Sequence, residues 1–204
     1  MYKTEQEKFW AGEFGESYIA RNSGKDFTSL AIDQLSHGLR KSKGIKSAIE
    51  LGSNVGNNIE ALNQMYKDID LHAIEINKTA AEKLSNKKIC TVKNSSLLDL
   101  NYDRTFDLSF TSGVLIHIAP DKLKQAYDNL YKLSNKYILL IEYYNHKPQE
   151  LDYRGHSEKL FRRDFCYELM NQHKDLKLVD YGFLYHNDSN IERNEDMHWF
   201  LMEK

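Results

Sequence analysis

The stretch IELGSNVGNN, residues 49–58, joins an apolar run to a polar one through two glycines. SAIEL (47–51) reads as a short buried strand, and NNIEALNQMY after the turn carries its apolar residues at helical spacing. A strand that turns through glycine into a helix aims backbone N–H groups at whatever lies beyond the strand end, as loops of the pattern G-x-G-x-x-G do. Gly52 and Gly56 fit such a loop, whereas Asn54 stands where the middle glycine belongs. Asparagine tolerates left-handed backbone better than most residues, so the turn keeps access to the same geometry. Taken alone, the stretch reads more readily as an ordinary strand-to-helix turn than as a cofactor loop.

Outward from the loop, strand-like and helix-like runs alternate. DLHAIEI (70–76), KICTV (88–92), FDLSFTSGVLIHI (106–118) and KYILLIEYY (136–144) are β-like, and KTAAEKL reads as helix between the first two. DKLKQAYDNLYKLS (121–134) repeats Leu123, Tyr127, Leu130 and Tyr131 at spacings of three and four, an amphipathic helix. Continuous apolar strands separated by helices predict a parallel sheet covered on both faces. LKLVDYGFL (176–184) and MHWFLM (197–202) have no strong helix between them and predict an antiparallel pair at one sheet edge. The expected fold is a doubly wound, Rossmann-like α/β core over residues 47–204, with residues 1–46 as an N-terminal helical cap, all in one domain.

Composition narrows the possible functions. Lys and Arg number 28 against 30 Asp and Glu, so a net charge of −2 argues against nucleic acid held on a basic surface. Cys90 and Cys166 lack a CxxC partner, which does not suggest a disulfide scaffold or structural zinc, and Cys90, read as part of a strand, is expected to be buried and inert. His72, His117, His156, His173, His186 and His198 are scattered without an H-E-x-x-H pair, so no metal is expected. Residues 1–20 lack a signal-peptide pattern, and no apolar run reaches the ~18 residues of a membrane span; a cytoplasmic protein without a membrane partner is expected. G-x-x-x-x-G-K-S/T is absent, which excludes a P-loop.

In an open parallel sheet the ligand crevice lies at the carboxyl ends of the strands. Glu50 sits in the first strand and Glu75 ends the second. An ionised acid at the second position can accept from both hydroxyls of a ribose. A dinucleotide would bring a pyrophosphate that needs close approach to the helix N-terminus, hence three glycines. S-adenosylmethionine carries no phosphate, so Gly52 and Gly56 with Asn54 between them suffice for it. Ser95 or Ser96, after the third strand, suits the adenine edge, and Thr111, Ser112 and Gly113, at the end of the fourth, face the methyl donor.

With these residues in place the chain resembles a class I S-adenosylmethionine-dependent methyltransferase. More narrowly it is similar to the pseudaminic acid biosynthesis-associated methylases. The likeness runs through FWAGEFGESYIARN (9–22), ELGSNVGNN (50–58), FTSGVLIHIAPDKL (110–123), EYYNHKP (142–148), YRGHSEKLFRRDF (153–165) and DYGFLYHND (180–188). The resemblance implies a seven-stranded sheet of order 3-2-1-4-5-7-6 whose last hairpin is antiparallel, and cofactor contacts from Gly52, Gly56, Glu75 and Ser95. Ser95 replaces the aspartate more usual in the superfamily. The resemblance also implies a role in making nonulosonic acids, the sialic-acid-like sugars of bacterial surface glycans.

Methyl transfer needs a nucleophile held in line with the sulfonium and, for a hydroxyl, often a base. His117, after the fourth strand, is one candidate base, or a histidine that merely packs. His156 in the Tyr-Arg-Gly-His turn is the other. Glu142, Tyr143, Tyr144 and Asn145 are expected at the pocket mouth, where Tyr143, Tyr144 and Asn145 would orient a sugar. Arg154 and Arg162, with Arg163, would grip a carboxylate or phosphate, or Arg162 and Arg163 start a solvated helix. Trp10, Phe14, Tyr18, Arg21 and Asn22 fit one face of a helical lid, with Tyr18 toward the acceptor and Arg21 toward the cofactor carboxylate. The expected activity is O-methylation of a nonulosonic-acid-type sugar or sugar nucleotide. Methylation of nitrogen or of a peptide or glycan is the alternative, and a non-catalytic cofactor-binding protein the third reading.

Overall fold

Residues 2–22, 27–189, 191 and 195–204 are described by the computed structural model, and the side chains of residues 20–22 lie outside that description. Strand β1 (Ser47–Leu51) is buried along almost its whole length, as a central strand covered on both faces must be. It pairs in parallel with β2 (Asp70–Glu75) and β4 (Phe106–Ser112); β2 continues to β3 (Thr91–Asn94) and β4 to β5 (Ser134–Glu142). Past β5 the sheet turns antiparallel through β9 (Met197–Glu203) to β8 (Lys177–Leu184). The order is β3-β2-β1-β4-β5-β9-β8, which is the expected 3-2-1-4-5-7-6 once the separate hairpin β6–β7 is set aside.

Alternation along the strands divides the core. Ile138 and Leu140 of β5 pack with Leu123, Tyr127 and Leu130 of α6 (Leu123–Leu133) and Leu169 of α7 (Phe165–Gln172). Leu139 and Ile141 point the other way, to Leu35 and Leu39 of α3 (Thr28–Leu39), Ile59 and Leu62 of α4 (Asn57–Met65) and Trp199. The helices α1 (Glu5–Ala11), α2 (Glu13–Asn22) and α3 precede β1 and form the expected cap. Helix α1 starts on a capping box, in which Thr4 Oγ1 accepts from the Glu7 N–H while Glu7 Oε2 accepts from the Thr4 N–H. Helix α5 (Lys78–Asn86) starts on Asn77, whose side chain accepts from the Ala80 N–H.

The start of the third strand, the burial of Cys90 and the helix start at Arg162 and Arg163 are corrected, while the Tyr-Arg-Gly-His turn lies where it is expected. Strand β3 begins at Thr91 and not Lys88, because Lys88 is left-handed (φ 56°) and turns the chain before Ile89. Cys90 therefore precedes the strand and is only half-buried, although burial still pushes its thiol up to about 11. The segment read as a Tyr-Arg-Gly-His turn is the tip of a hairpin, β6 (Gln149–Tyr153) and β7 (His156–Arg162). Arg154 and Gly155 both have positive φ (54° and 83°), the backbone of a two-residue turn that matches the strand twist. Arg162 ends β7 and Arg163 forms an isolated bridge to Tyr144, so neither starts a helix; α7 begins at Phe165, capped by Asp164.

The hairpin docks on the cap. Its pairing slips between Leu151 and Tyr153, a bulge in which Glu158 is left-handed (φ 56°). The Glu158 carbonyl accepts from Gln6 Nε2 at 2.9 Å, and the His156 ring meets Phe9 and Phe14 at 5.0 and 5.6 Å.

Candidate active site

The turn after β1 is held by the neighbouring strand. Gly52 and Ser53 donate their N–H groups to the Ile74 carbonyl at 2.8 and 3.0 Å. Gly52 and Asn54 take positive φ (85° and 47°), so asparagine does adopt the left-handed backbone the loop asks of it. A Cβ on Gly52 would stand 2.6 Å from Val114 Cγ2. Gly52→Val is therefore expected to lower the thermal midpoint as well as to abolish cofactor binding; an unchanged midpoint would refute the steric half of that statement. Gly56 is also left-handed (φ 87°), but it abuts Leu84 and serves the packing of α4 on α5.

Glu75 is 7 % exposed at the end of β2. Its Oε2 accepts from the Asn54 N–H at 2.6 Å and its Oε1 from the Asn77 N–H at 2.7 Å. Burial raises its pKa and these amides oppose the rise. Each oxygen keeps a further acceptor site.

Two cavities open on these strand ends. The first, about 150 Å³, is bordered by Glu75, Asn77, Ser95, Ser96, Leu97 and Leu98 below and by Thr4, Gln6, Glu7, Trp10 and Ile19 of the cap. The second, about 260 Å³, lies between Glu50, Asn57 and Asn58 and a wall of Phe27, Gln34, Tyr143, Tyr153, Glu195 and Met197. Tyr18, Gly52, Asn54, Ser112, Gly113 and His117 border both.

His117 closes a one-turn 3-10 helix (Leu115–His117) at that shared border. Its Nδ1 lies 2.6 Å from the Lys159 carbonyl of β7. A carbonyl only accepts, so Nδ1 carries the proton and Nε2 the lone pair. Burial lowers its pKa to about 4, so the ring is neutral at ordinary pH. Trp10 and Tyr153 enclose it, with ring centroids 4.5 and 4.9 Å away.

Glu50 is 1 % exposed. Its Oε1 accepts from Asn58 Nδ2 at 2.6 Å, while Oε2 is buried without a partner. Burial pushes its carboxyl from 4.5 up to about 8, against the Asn58 bond. Asn54 Oδ1 and Trp10 Nε1 are likewise buried and unpartnered beside the cavities. Two acceptors and one donor left unsatisfied there are what a group with a cationic and an anionic end would satisfy.

Of the residues singled out in the sequence, Gly52, Asn54, Glu75, Ser95, Ser96, Ser112, Tyr18, Tyr143, Glu50 and His117 border one or both cavities. Gly56 and the fully buried Thr111 border neither. Glu142 is not at a pocket mouth but buried, accepting from backbone amides of the wall that carries His117. Tyr144 turns to the opposite face, against His198 and Phe200, and Asn145 bonds the Lys147 carbonyl. Arg154 is exposed at the hairpin tip and His156 packs on the cap aromatics, both away from the cavities. Arg162 lies behind the second cavity, over the Tyr143 ring at 5.4 Å and 3.3 Å from Glu195; its Nε is buried without a partner. The side chain of Arg21 lies outside the described residues. Sequence reasoning missed Asn77, Gln34, Tyr153 and Glu195. Only Asn77 carried a local signal, as a helix N-cap two residues after Glu75.

No family profile and no curated protein matches the sequence. Solved structures match in fold. Magnesium protoporphyrin IX methyltransferase from Synechocystis PCC 6803, with bound S-adenosylmethionine, superposes over 100 % of this chain and 99 % of its own, with a TM-score of 0.71 and 11 % identity. A SAM-dependent methyltransferase from Leishmania major covers 98 % of this chain and 87 % of its own (TM-score 0.73, 13 % identity). The N-methyltransferase NodS from Bradyrhizobium japonicum WM9 covers 90 % and 98 % (TM-score 0.67, 14 % identity). The fold is that of the class I S-adenosylmethionine-dependent methyltransferases. The separate β6–β7 hairpin holds the ring of His117 through the Lys159 carbonyl. Among the described residues no helix is long and apolar enough to cross a membrane.

Proposed function

We propose that this chain is an S-adenosylmethionine-dependent methyltransferase acting on a small polar acceptor. The observation that carries this reading is the meeting of two cavities across Ser112, Gly113 and His117, one lined for a nucleoside and the other flanked by tyrosines. Glu75 is suited to the ribose hydroxyls, and Glu50 and Asn54 to the cofactor's ammonium. Trp10 N–H is free for an acceptor atom. Bound S-adenosylmethionine would supply an electrophilic methyl group on a cationic sulfur. The neutral Nε2 of His117 takes the proton of an acceptor hydroxyl, and the Lys159 carbonyl stabilises the imidazolium through Nδ1–H. Helices α1 and α2 exclude water from the shared border.

For the acceptor, the resemblance in sequence favours a hydroxyl of a nonulosonic-acid-type sugar. Tyr18, Gln34, Tyr143 and Tyr153 line the second cavity and support it as polar and stacking partners. Methylation of an amine is the second reading. It is favoured by one observation: among the described residues lining the second cavity, Glu195 is the carboxylate left for an acceptor, Glu50 keeping its proton at neutral pH in the free protein. Several fold neighbours are N-methyltransferases.

The test is calorimetric titration with S-adenosylmethionine and S-adenosylhomocysteine, with NAD as control. Methyl transfer is then measured to free and nucleotide-activated nine-carbon keto-acid sugars and to amino sugars. Absence of binding to folded protein would sink the methyltransferase reading, and transfer to amines alone would sink the hydroxyl one.

Glu50 gives this binding a proton signature. Its folded pKa lies above the ordinary 4.5, so its contribution to the free protein's stability is complete below that value and lost as pH rises through about 8. At neutral pH the free protein therefore holds a proton that an incoming ammonium displaces. Binding heats compared in buffers of different ionisation enthalpy are expected to show release approaching one proton near pH ~6–7 and shrinking through pH ~8. Glu50→Gln is expected to abolish the release; persistence in that variant would assign it elsewhere.

A further inference from the structure

Glu142 is a buried carboxyl group that the proposed chemistry does not use. It ends β5, 2 % exposed, beneath the wall that the two cavities share. Its oxygens accept from Val114 N–H at 3.1 and 3.0 Å, Leu115 N–H at 3.1 Å and Ile116 N–H at 3.4 Å. Three successive amides on one carboxylate form an anion nest, here at the start of the one-turn helix whose last residue is His117. The Gly113 N–H also donates to the Ile141 carbonyl at 2.8 Å, so the wall is stapled to the end of β5 from residue 113 to 116. The far side of the same wall is cavity surface.

Burying an ionisable group is unfavourable unless its oxygens are used. Here they converge on one segment. Burial pushes the carboxyl up to about 7 even against the pull of the amides. An apolar residue would end the strand without that penalty, so the role of Glu142 lies in what it holds.

We infer that Glu142 is a positioning residue: its carboxylate fixes the Gly113–His117 wall, and with it the place and direction of the His117 imidazole. It does so without touching cofactor or acceptor. His117 is then held twice, its backbone from β5 and its ring from the hairpin carbonyl of Lys159. The catalytic meaning rests on the methyltransferase reading; the mechanical part rests on the hydrogen bonds alone.

The experiment compares the full-length protein with Glu142→Gln, whose carboxamide keeps the shape but presents an NH₂ to the amides. Hydrogen exchange at Val114, Leu115 and Ile116, the His117 ring nitrogen signals, and the Kd for S-adenosylhomocysteine are measured on each. Exchange at the three amides is expected to quicken by at least about tenfold, the scale of one lost charge-assisted hydrogen bond. The His117 Nδ1–H signal is expected to broaden or vanish while the Kd moves by less than about threefold, since the contacts assigned to Glu75 and Glu50 remain. Wild-type exchange at residues 114–116, or an unaltered His117 tautomer and line width, would overturn the inference. Should Glu142→Gln not fold, Glu142→Asp keeps the charge one methylene short; loosening confined to residues 113–117 supports the role, and loosening spread evenly over β5 and α6 overturns it. Failure of the wild-type protein to bind S-adenosylhomocysteine would sink the methyltransferase reading while the exchange and tautomer results still judge Glu142.

Discussion

Glu75→Ala is expected to weaken S-adenosylmethionine binding by about a hundredfold or more, the first of the two largest effects this site allows. A charge-assisted hydrogen bond contributes about 1.5–3 kcal/mol, and a carboxylate facing two ribose hydroxyls makes two of them. The sum corresponds to roughly 10²–10⁴ in Kd. The alanine variant also strands the Asn54 and Asn77 amides that Glu75 now holds, which loosens the left-handed turn at Asn54. Glu75→Gln separates the two parts. It keeps the volume and one acceptor oxygen but faces one of those amides with an NH₂, so a loss of about tenfold is expected. Titration calorimetry on both variants, with thermal midpoints to show that each is folded, makes the measurement. Wild-type affinity in a folded Glu75→Ala protein would remove the nucleoside from the first cavity and the methyltransferase reading with it.

That Glu75 was legible in the sequence at all follows from where its information lies. A strand end, a glycine turn and a carboxylate on the next strand are local features, and a parallel sheet places them side by side without further instruction. The same holds for Gly52, Asn54 and Ser112. The hairpin was not legible, for physical reasons that can be named. Its turn is Arg154-Gly155, lacking the Asn or Asp that usually announces a left-handed first position. Its outward residues are exposed and charged, and the bulge at Glu158 breaks the alternation that would reveal a strand. Tyr153 was hidden with it, although it walls the second cavity. Helix α7 has only eight residues, too few for periodicity to stand out.

Glu142 shows a different limit. Its position at a strand end suggested a pocket mouth, and the strand does end there. What turns its carboxylate inward is the trio of amides at residues 114–116, which a parallel register with β4 brings alongside. Which neighbour a strand-end side chain meets is set by tertiary structure, and no spacing within 142–145 encodes it. Likewise His156 was given the same candidacy as His117. The hairpin places His156 among Phe9 and Phe14, and it presents the backbone of Lys159, two residues before Phe161, to His117.

The second large effect is expected at His117. In His117→Gln the amide nitrogen can still donate to the Lys159 carbonyl, so the hairpin contact survives, but the imidazole lone pair is gone from the shared border. General-base loss lowers kcat by about 10²–10⁴, and the Kd for S-adenosylhomocysteine should stay within about threefold, because the ring removed is a wall and not an anchor of the nucleoside. The pH dependence distinguishes this base from an ordinary histidine. Its folded pKa is lowered to about 4 by burial, so the lone pair on Nε2 is present throughout the neutral range. The rate with an acceptor identified by the methyl-transfer screen is expected to be flat through 6.5 and to fall only as pH drops through about 4, where protonation removes the lone pair. A limb near the unperturbed value would mean that the ring is more solvated during turnover than burial under Trp10 and Tyr153 allows, which places cap opening on the reaction path. A His117→Gln enzyme with wild-type kcat would mean that no base is needed there. An amine that arrives already deprotonated needs none, so that outcome would shift the acceptor from a hydroxyl to nitrogen and make Glu195, not His117, the side chain that selects it.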